Sequence, residues 1–134
     1  MNARQHDEKT VVADEGVRRG RLTKARQFLK VANEAVVLAD EATEIADAAV
    51  TLYVHAGIAA SDAICARELG MHAQGDSHRG AVKLLKRVDV EASNHLKVLL
   101  DMKSRAGYSP LPISAARLTR AQRAARFLVE AASR

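Results

Sequence analysis

Aromatic residues are nearly missing from this chain. There is no Trp, and only two Tyr and two Phe stand among its 134 residues. The core must therefore be aliphatic, and much of it must be alanine. Alanine buries little area, so helices have to approach closely to gain contact. A domain of this kind is marginal by itself, and dimerisation is a common remedy. Cysteine is equally scarce. The single Cys65 excludes an internal disulfide framework and fits a reducing compartment. Met1 to Gly20 is charged and carries no apolar h-region, so no signal peptide is expected. No stretch is expected to reach the apolar length that spans a bilayer. The expectation is a cytoplasmic protein without membrane contact. Period-two alternation of polar and apolar residues is also missing, so no strand is expected, and no internal repeat appears.

What is present is helical periodicity and positive charge. The length suits one domain with one modest core. The formal net charge is +5, which is compatible with nucleic acid or an acidic partner. Residues 1–16 mix charges, Gln and Asn without an apolar period, and read as a disordered arm preceding a domain over 17–134. Ala25, Phe28, Ala32, Ala35 and Ala39 then recur at helical steps, with Thr23 as a candidate N-cap.

The next segment, about 44–69, is the richest in alanine. Ile45, Ala49, Leu52, Ala56, Ala59, Ala63 and Ala66 form one stripe, while Val50, Val54 and Ile58 lie off it. A helix apolar over more than half its circumference is usually central in a bundle or lies in a dimer interface. Gly70 is a natural C-cap. After a polar loop over 71–80, a short helix carries Val82, Leu84, Leu85 and Val88. Asp89 caps a helix to about Arg105, stopped by Gly107 and the Ser-Pro-Leu-Pro run at 109–112. Ser114 caps the last helix, with Leu118, Ala121, Ala125, Leu128 and Ala132 inward. The expected fold is all-α, a four- to five-helix up-down bundle with mostly short connections.

Candidate chemistry is thin. His72, Asp76 and His78 share one loop, but three donors without paired thiolates or a His-Glu-x-x-His spacing make no specific metal motif. A solvated loop is the simpler reading, with Asp76 or Ser77 capping the next helix and His78 in its first turn. No metal and no cofactor are expected. Cys65, between Ile64 and Ala66, reads as a small buried residue rather than a nucleophile. His55, between Val54 and Ala56, reads as a core or interface histidine. Arg117, Arg120, Arg123 and Arg126 fall away from the apolar stripe of the last helix and read as a solvated face. Arg18, Arg19, Arg21, Lys24, Arg26 and Lys30 open the first helix, where cations oppose the dipole, which favours a partner. Stacking aromatics and a recognition-helix motif, the usual marks of nucleic-acid readers, are both missing.

Several runs together carry a resemblance. They are Cys-Ala-Arg-Glu-Leu-Gly at 65–70, a Gly-Asp-Ser-His loop leading into Ala-Val-Lys-Leu-Leu at 81–85, and Leu-Leu-Asp-Met-Lys-Ser-Arg-Ala-Gly-Tyr-Ser-Pro at 99–110. An Ala-x-x-Phe-Leu-Val-Glu-Ala ending follows at 124–131. Over Val17 to Ser133 the chain resembles the HEPN superfamily of small helical domains. It is most similar to the non-nuclease branch, whose penultimate helix ends in a Lys/Arg-x-x-Ala-x-Tyr run, here Lys103, Ala106 and Tyr108.

The resemblance implies a bundle that works by association. It implies a homodimer, and a nucleotidyltransferase-type partner or nucleic acid, as in toxin–antitoxin-like pairs. Ribonuclease members carry Arg, four to six residues, then His at the end of the third helix. Here Arg105 is followed by Ala106, Gly107 and Tyr108, and no His follows at all, which argues against catalysis. The spacing Arg67 to His72 matches but falls at the wrong place, and so Arg-rich a chain shows it by chance. The alternative is a ribonuclease or toxin with a site displaced onto Arg67, His72, His78 or Arg105. The candidate anion- or ligand-binding residues are Lys103, Arg105, Tyr108 and His78. Lys103, Arg105 and Tyr108 are expected to cluster near the loop of His78. The homodimer is expected to use the second helix, with Ile58 at the interface.

Overall fold

The computed structural model describes residues 9–75 and 77–134. Among these residues five α-helices form an all-α bundle: α1 (Glu15–Leu38), α2 (Ala46–Leu69), α3 (His78–Lys86), α4 (Val90–Gly107) and α5 (Ala115–Ala132). Local chemistry sets most of the ends. Ser77 accepts from Gly80 N, Asp89 from Ala92 N and Ser114 from Arg117 N, each satisfying an orphan donor of its helix. Gly70 ends α2 at φ 67°, a left-handed conformation that glycine adopts without penalty.

Two expectations fail at the N-terminal end. The disordered arm does not reach residue 16, because Thr10–Val12 forms a strand, β1. It pairs antiparallel with β2 (Met71–Ala73), Val11 opposite His72. Ala13 N donates to Gly70 O at 2.9 Å and Gln74 N to Lys9 O at 2.9 Å, which extends the ribbon at both ends. Residues 1–8 of the expected arm, and Asp76, lie outside the described residues. Strands are therefore present after all, although two three-residue pieces leave the fold class unchanged. The N-cap of α1 is Asp14, not Thr23: its carboxylate accepts from Val17 N at 2.9 Å, and α1 starts some eight residues before Thr23.

The core is built around α2. Its Ala49, Ala56, Ala59 and Ala63 are buried, and so are Val50, Tyr53 and Val54. α1, α4 and α5 pack against it from different sides, so the wide apolar face is covered within one chain. α2 therefore needs no second copy to cover Val50 and Val54; only Ile58 of the off-stripe residues is half-buried. α2 is also long and apolar enough to cross a bilayer by length and composition, contrary to expectation. In the fold, 67% of its most apolar stretch is buried by the rest of the bundle, the position of a core helix.

Small residues make this packing close. At Gly57 a Cβ would overlap Leu99 Cδ1 and come within 3.3 Å of Leu128 Cδ1, so α4 and α5 both press onto α2 backbone there. A polar knot pins three helices at the same level. Tyr53 Oη of α2 donates to Asn33 Oδ1 of α1, and Gln122 Nε2 of α5 donates to both at 3.1 Å.

Candidate functional site

Along one edge of α2, Thr51, Val54, His55 and Ile58 follow each other at helical steps, with Thr51 near the C-terminal end of α4 and Ile58 beside Leu100 further back along it. The last turns of α4 face them. Between the two helices lies a cavity of about 240 Å³ lined by Thr51, Val54, His55, Lys103, Gly107 and Tyr108. A smaller pocket of about 40 Å³ lies where Lys103 meets Ile58, Ser77, His78 and Leu100. Lys103 is common to both. It shares the larger cavity with Tyr108 and the smaller with His78.

Arg105 does not join them. Two residues on from Lys103, it is turned about 200° around the helix axis. It lines a separate groove of about 320 Å³ with Val98, Asp101, Met102, Arg117 and Arg120. Three of the four expected residues thus meet around Lys103, and the fourth belongs to another face.

The charge in the Lys103 cavity is uncompensated. None of its lining residues is acidic. Lys103 makes no ion pair with a described residue. His55 is exposed at the rim, which corrects the core half of the expectation of a core or interface histidine. Its ring tilts against Phe28 of α1 with centroids 5.5 Å apart. Its pKa is pushed below the ordinary histidine value, first by the surrounding protein and then by the positive charges of Lys103 and Arg21. A neutral imidazole beside an ammonium offers one donor and one acceptor nitrogen. Thr51 Oγ1 donates to Asp47 O at 2.8 Å, so its proton is already engaged. Tyr108 is 82% exposed, so its hydroxyl is available rather than packed. Lys103, His55 and Tyr108 together can hold one anionic group.

The remaining candidates have structural tasks. Arg67 NH1 donates to Ala131 O at 3.1 Å and Arg134 O at 3.3 Å, closing the C-terminal end of α5. His72 is not beside it in function: Nδ1 lies 2.8 Å from Ala73 O and 3.9 Å from Asp62 Oδ1. Asp62 accepts from Arg21 Nε at 2.9 Å, joining α2 to α1. Burial pushes the Asp62 carboxyl up, and Arg21 and His72 pull it partly back. Cys65 is buried and its thiol is pushed up to about 12, chiefly by burial and then by the Asp62 charge, which suits packing and not nucleophilic attack. Among the described residues, no three His, Cys, Asp or Glu side chains converge as a metal site.

His55 was read from the sequence as a core or interface histidine and not as a member of the site. A signal existed: Thr51 and His55 are polar positions one turn apart within the apolar stretch 48–60 of α2, which marks a seam rather than a core. With the geometry in hand, the class of the molecule is a small all-α bundle with a cationic cavity at one seam. No protein family, no curated protein and no solved structure matches this chain.

Proposed function

We propose that the chain is a non-catalytic, HEPN-like helical binding domain that takes an anionic group of its partner between Lys103, His55 and Tyr108. The observation that carries this is the acid-free cavity around Lys103, whose charge no described carboxylate neutralises. In such a setting an ammonium stabilises an anion more than it would in open water. Tyr108 adds a hydroxyl donor and His55 a ring nitrogen. The HEPN-like reading adds the lack of any His after Arg105. It also supplies the partner classes, a nucleotidyltransferase-type protein or nucleic acid. A second copy of the chain is part of the same proposal. Its contact would use Val31, Val37 and Leu38 on α1, which are 52%, 80% and 80% exposed, in place of α2.

The test is a titration of isotope-labelled protein with inorganic phosphate and with a mononucleotide, followed by NMR. Saturable shifts at His55 and at the end of α4 are expected. Lys103→Ala should weaken binding by about tenfold or more, the loss of one charge-assisted contact. No saturable shift, or equal affinity in the variant, would overturn the reading.

One observation favours the enzyme alternative: a neutral His55 beside Lys103 is a competent proton acceptor at neutral pH. The same preparation incubated with mixed RNA should leave it intact. Cleavage that disappears in His55→Ala would establish a displaced ribonuclease site instead.

A further inference from the structure

We infer that the groove between the end of α4 and the start of α5 is a second, separate site, built for a compact oligophosphate group such as a di- or triphosphate. Arg105 reaches it from α4, and Arg117 and Arg120 reach it from α5. Guanidinium groups hold phosphate oxygens through paired N–H donors, and three of them around one groove suit several closely spaced negative charges.

Arginines with a structural task in this chain are visibly engaged. Arg18 pairs with Glu15, Arg21 with Asp62, and Arg67 caps α5. Arg105, Arg117 and Arg120 make no ion pair or side-chain hydrogen bond with any described residue. The groove holds one carboxylate, Asp101, and Lys97 Nζ donates to it at 2.9 Å. Helix stability does not explain the α5 pair either. They occupy its first two turns, where the dipole is already positive, and the first turn carries no acidic residue. Arg105, at the C-terminal end of α4, is favoured by its dipole, so the anomaly lies with Arg117 and Arg120.

The shape selects a compact ligand over a long strand. Successive arginines at three-residue steps turn by about 60° around the helix, so Arg126 points away from Arg117. Arg123 and Arg126 do not line the groove. The cations form a cluster and not a straight track. Its volume of about 320 Å³ is at the small end of ligand sites.

The experiment is a thermal-shift and calorimetric titration of the full chain with sodium triphosphate, pyrophosphate and phosphate, at constant ionic strength. Triphosphate should bind saturably and most tightly, with phosphate weakest. Arg117→Gln with Arg120→Gln should lose tenfold or more in affinity. The charge-matched pair Arg123→Gln with Arg126→Gln should leave it unchanged. Each titration is repeated in the Lys103→Ala background, where the loss caused by Arg117→Gln with Arg120→Gln should persist and is read apart from the fate of the Lys103 cavity. Equal loss in both arginine pairs would reduce the effect to general charge and overturn the site. Tighter binding of a twelve-nucleotide RNA than of triphosphate, through the same arginines, would overturn the ligand assignment in favour of a nucleic-acid backbone.

Discussion

The phenol of Tyr53 donates to Asn33 Oδ1 across 2.6 Å, deep between α2 and α1. Tyr53 is fully buried, so its hydroxyl has no water to fall back on. Gln122 closes the knot from α5. In a core that is mostly aliphatic, this is the element that fixes which helices meet at which level. Tyr53→Phe removes the hydroxyl and leaves Gln122 and Asn33 bonded to each other. The expected cost is about 1–2 kcal/mol, measured by urea unfolding. An unchanged midpoint would mean that the knot adds nothing net.

Gly57→Ala should destabilise despite the better helix propensity of alanine. Propensity contributes about 1 kcal/mol in favour. The added methyl has to displace Leu99, which is itself fully buried, and overpacking of that kind costs about 1–3 kcal/mol. The net effect is predicted to be a loss of up to about 2 kcal/mol. Pairing the change with Leu99→Ala should recover part of the strain, a coupling that a double-mutant cycle reads directly. Strict additivity of the two changes would disprove the close contact.

His55 should make the fold sensitive to mild acid. Its folded pKa lies below the ordinary 6.5, so the folded chain binds fewer protons than the unfolded one. Its contribution is complete above about pH 6.5 and diminishes as pH falls through that value toward the folded pKa. His55→Gln should flatten this part of the profile of melting temperature against pH. Lys103→Gln should make it shallower, because it removes the second of the three causes. A profile of the same slope in His55→Gln would assign the effect to another group.

Cys65 should resist alkylation in the native protein. With its thiol pushed up to about 12, the thiolate at pH 8 is about one molecule in ten thousand. Burial adds a steric barrier. Iodoacetamide should label it only after unfolding, at the rate of a free thiol. Rapid stoichiometric labelling of the folded chain at pH 8 would contradict both points.

Much of the candidate site could be read in advance, but unevenly. Lys103 and Tyr108 were legible because Gly107 and the proline run end α4 just where both residues stand. His78 was legible as the first turn of a helix capped by Ser77. Arg105 was expected beside Lys103 and Tyr108 although helical periodicity alone separates it from Lys103 by about 200°. The core reading of His55 failed because apolar neighbours in sequence say little about which side of a crowded helix reaches solvent.

The residues by themselves determined five helices and several of their ends. Caps at Ser77, Asp89 and Ser114 and the stop at Gly70 are hydrogen bonds within a turn or so of chain, and need no distant partner. The tertiary structure alone decided the rest. Thr10–Val12 becomes a strand only because Met71–Ala73 is brought beside it, and three residues are too few to announce a period. α2 is enclosed by α1, α4 and α5 of its own chain, a result that its apolar circumference left open between bundle and dimer. The two cationic sites likewise exist because α2 faces one side of α4 and α5 the other, so residues two apart in sequence serve different cavities.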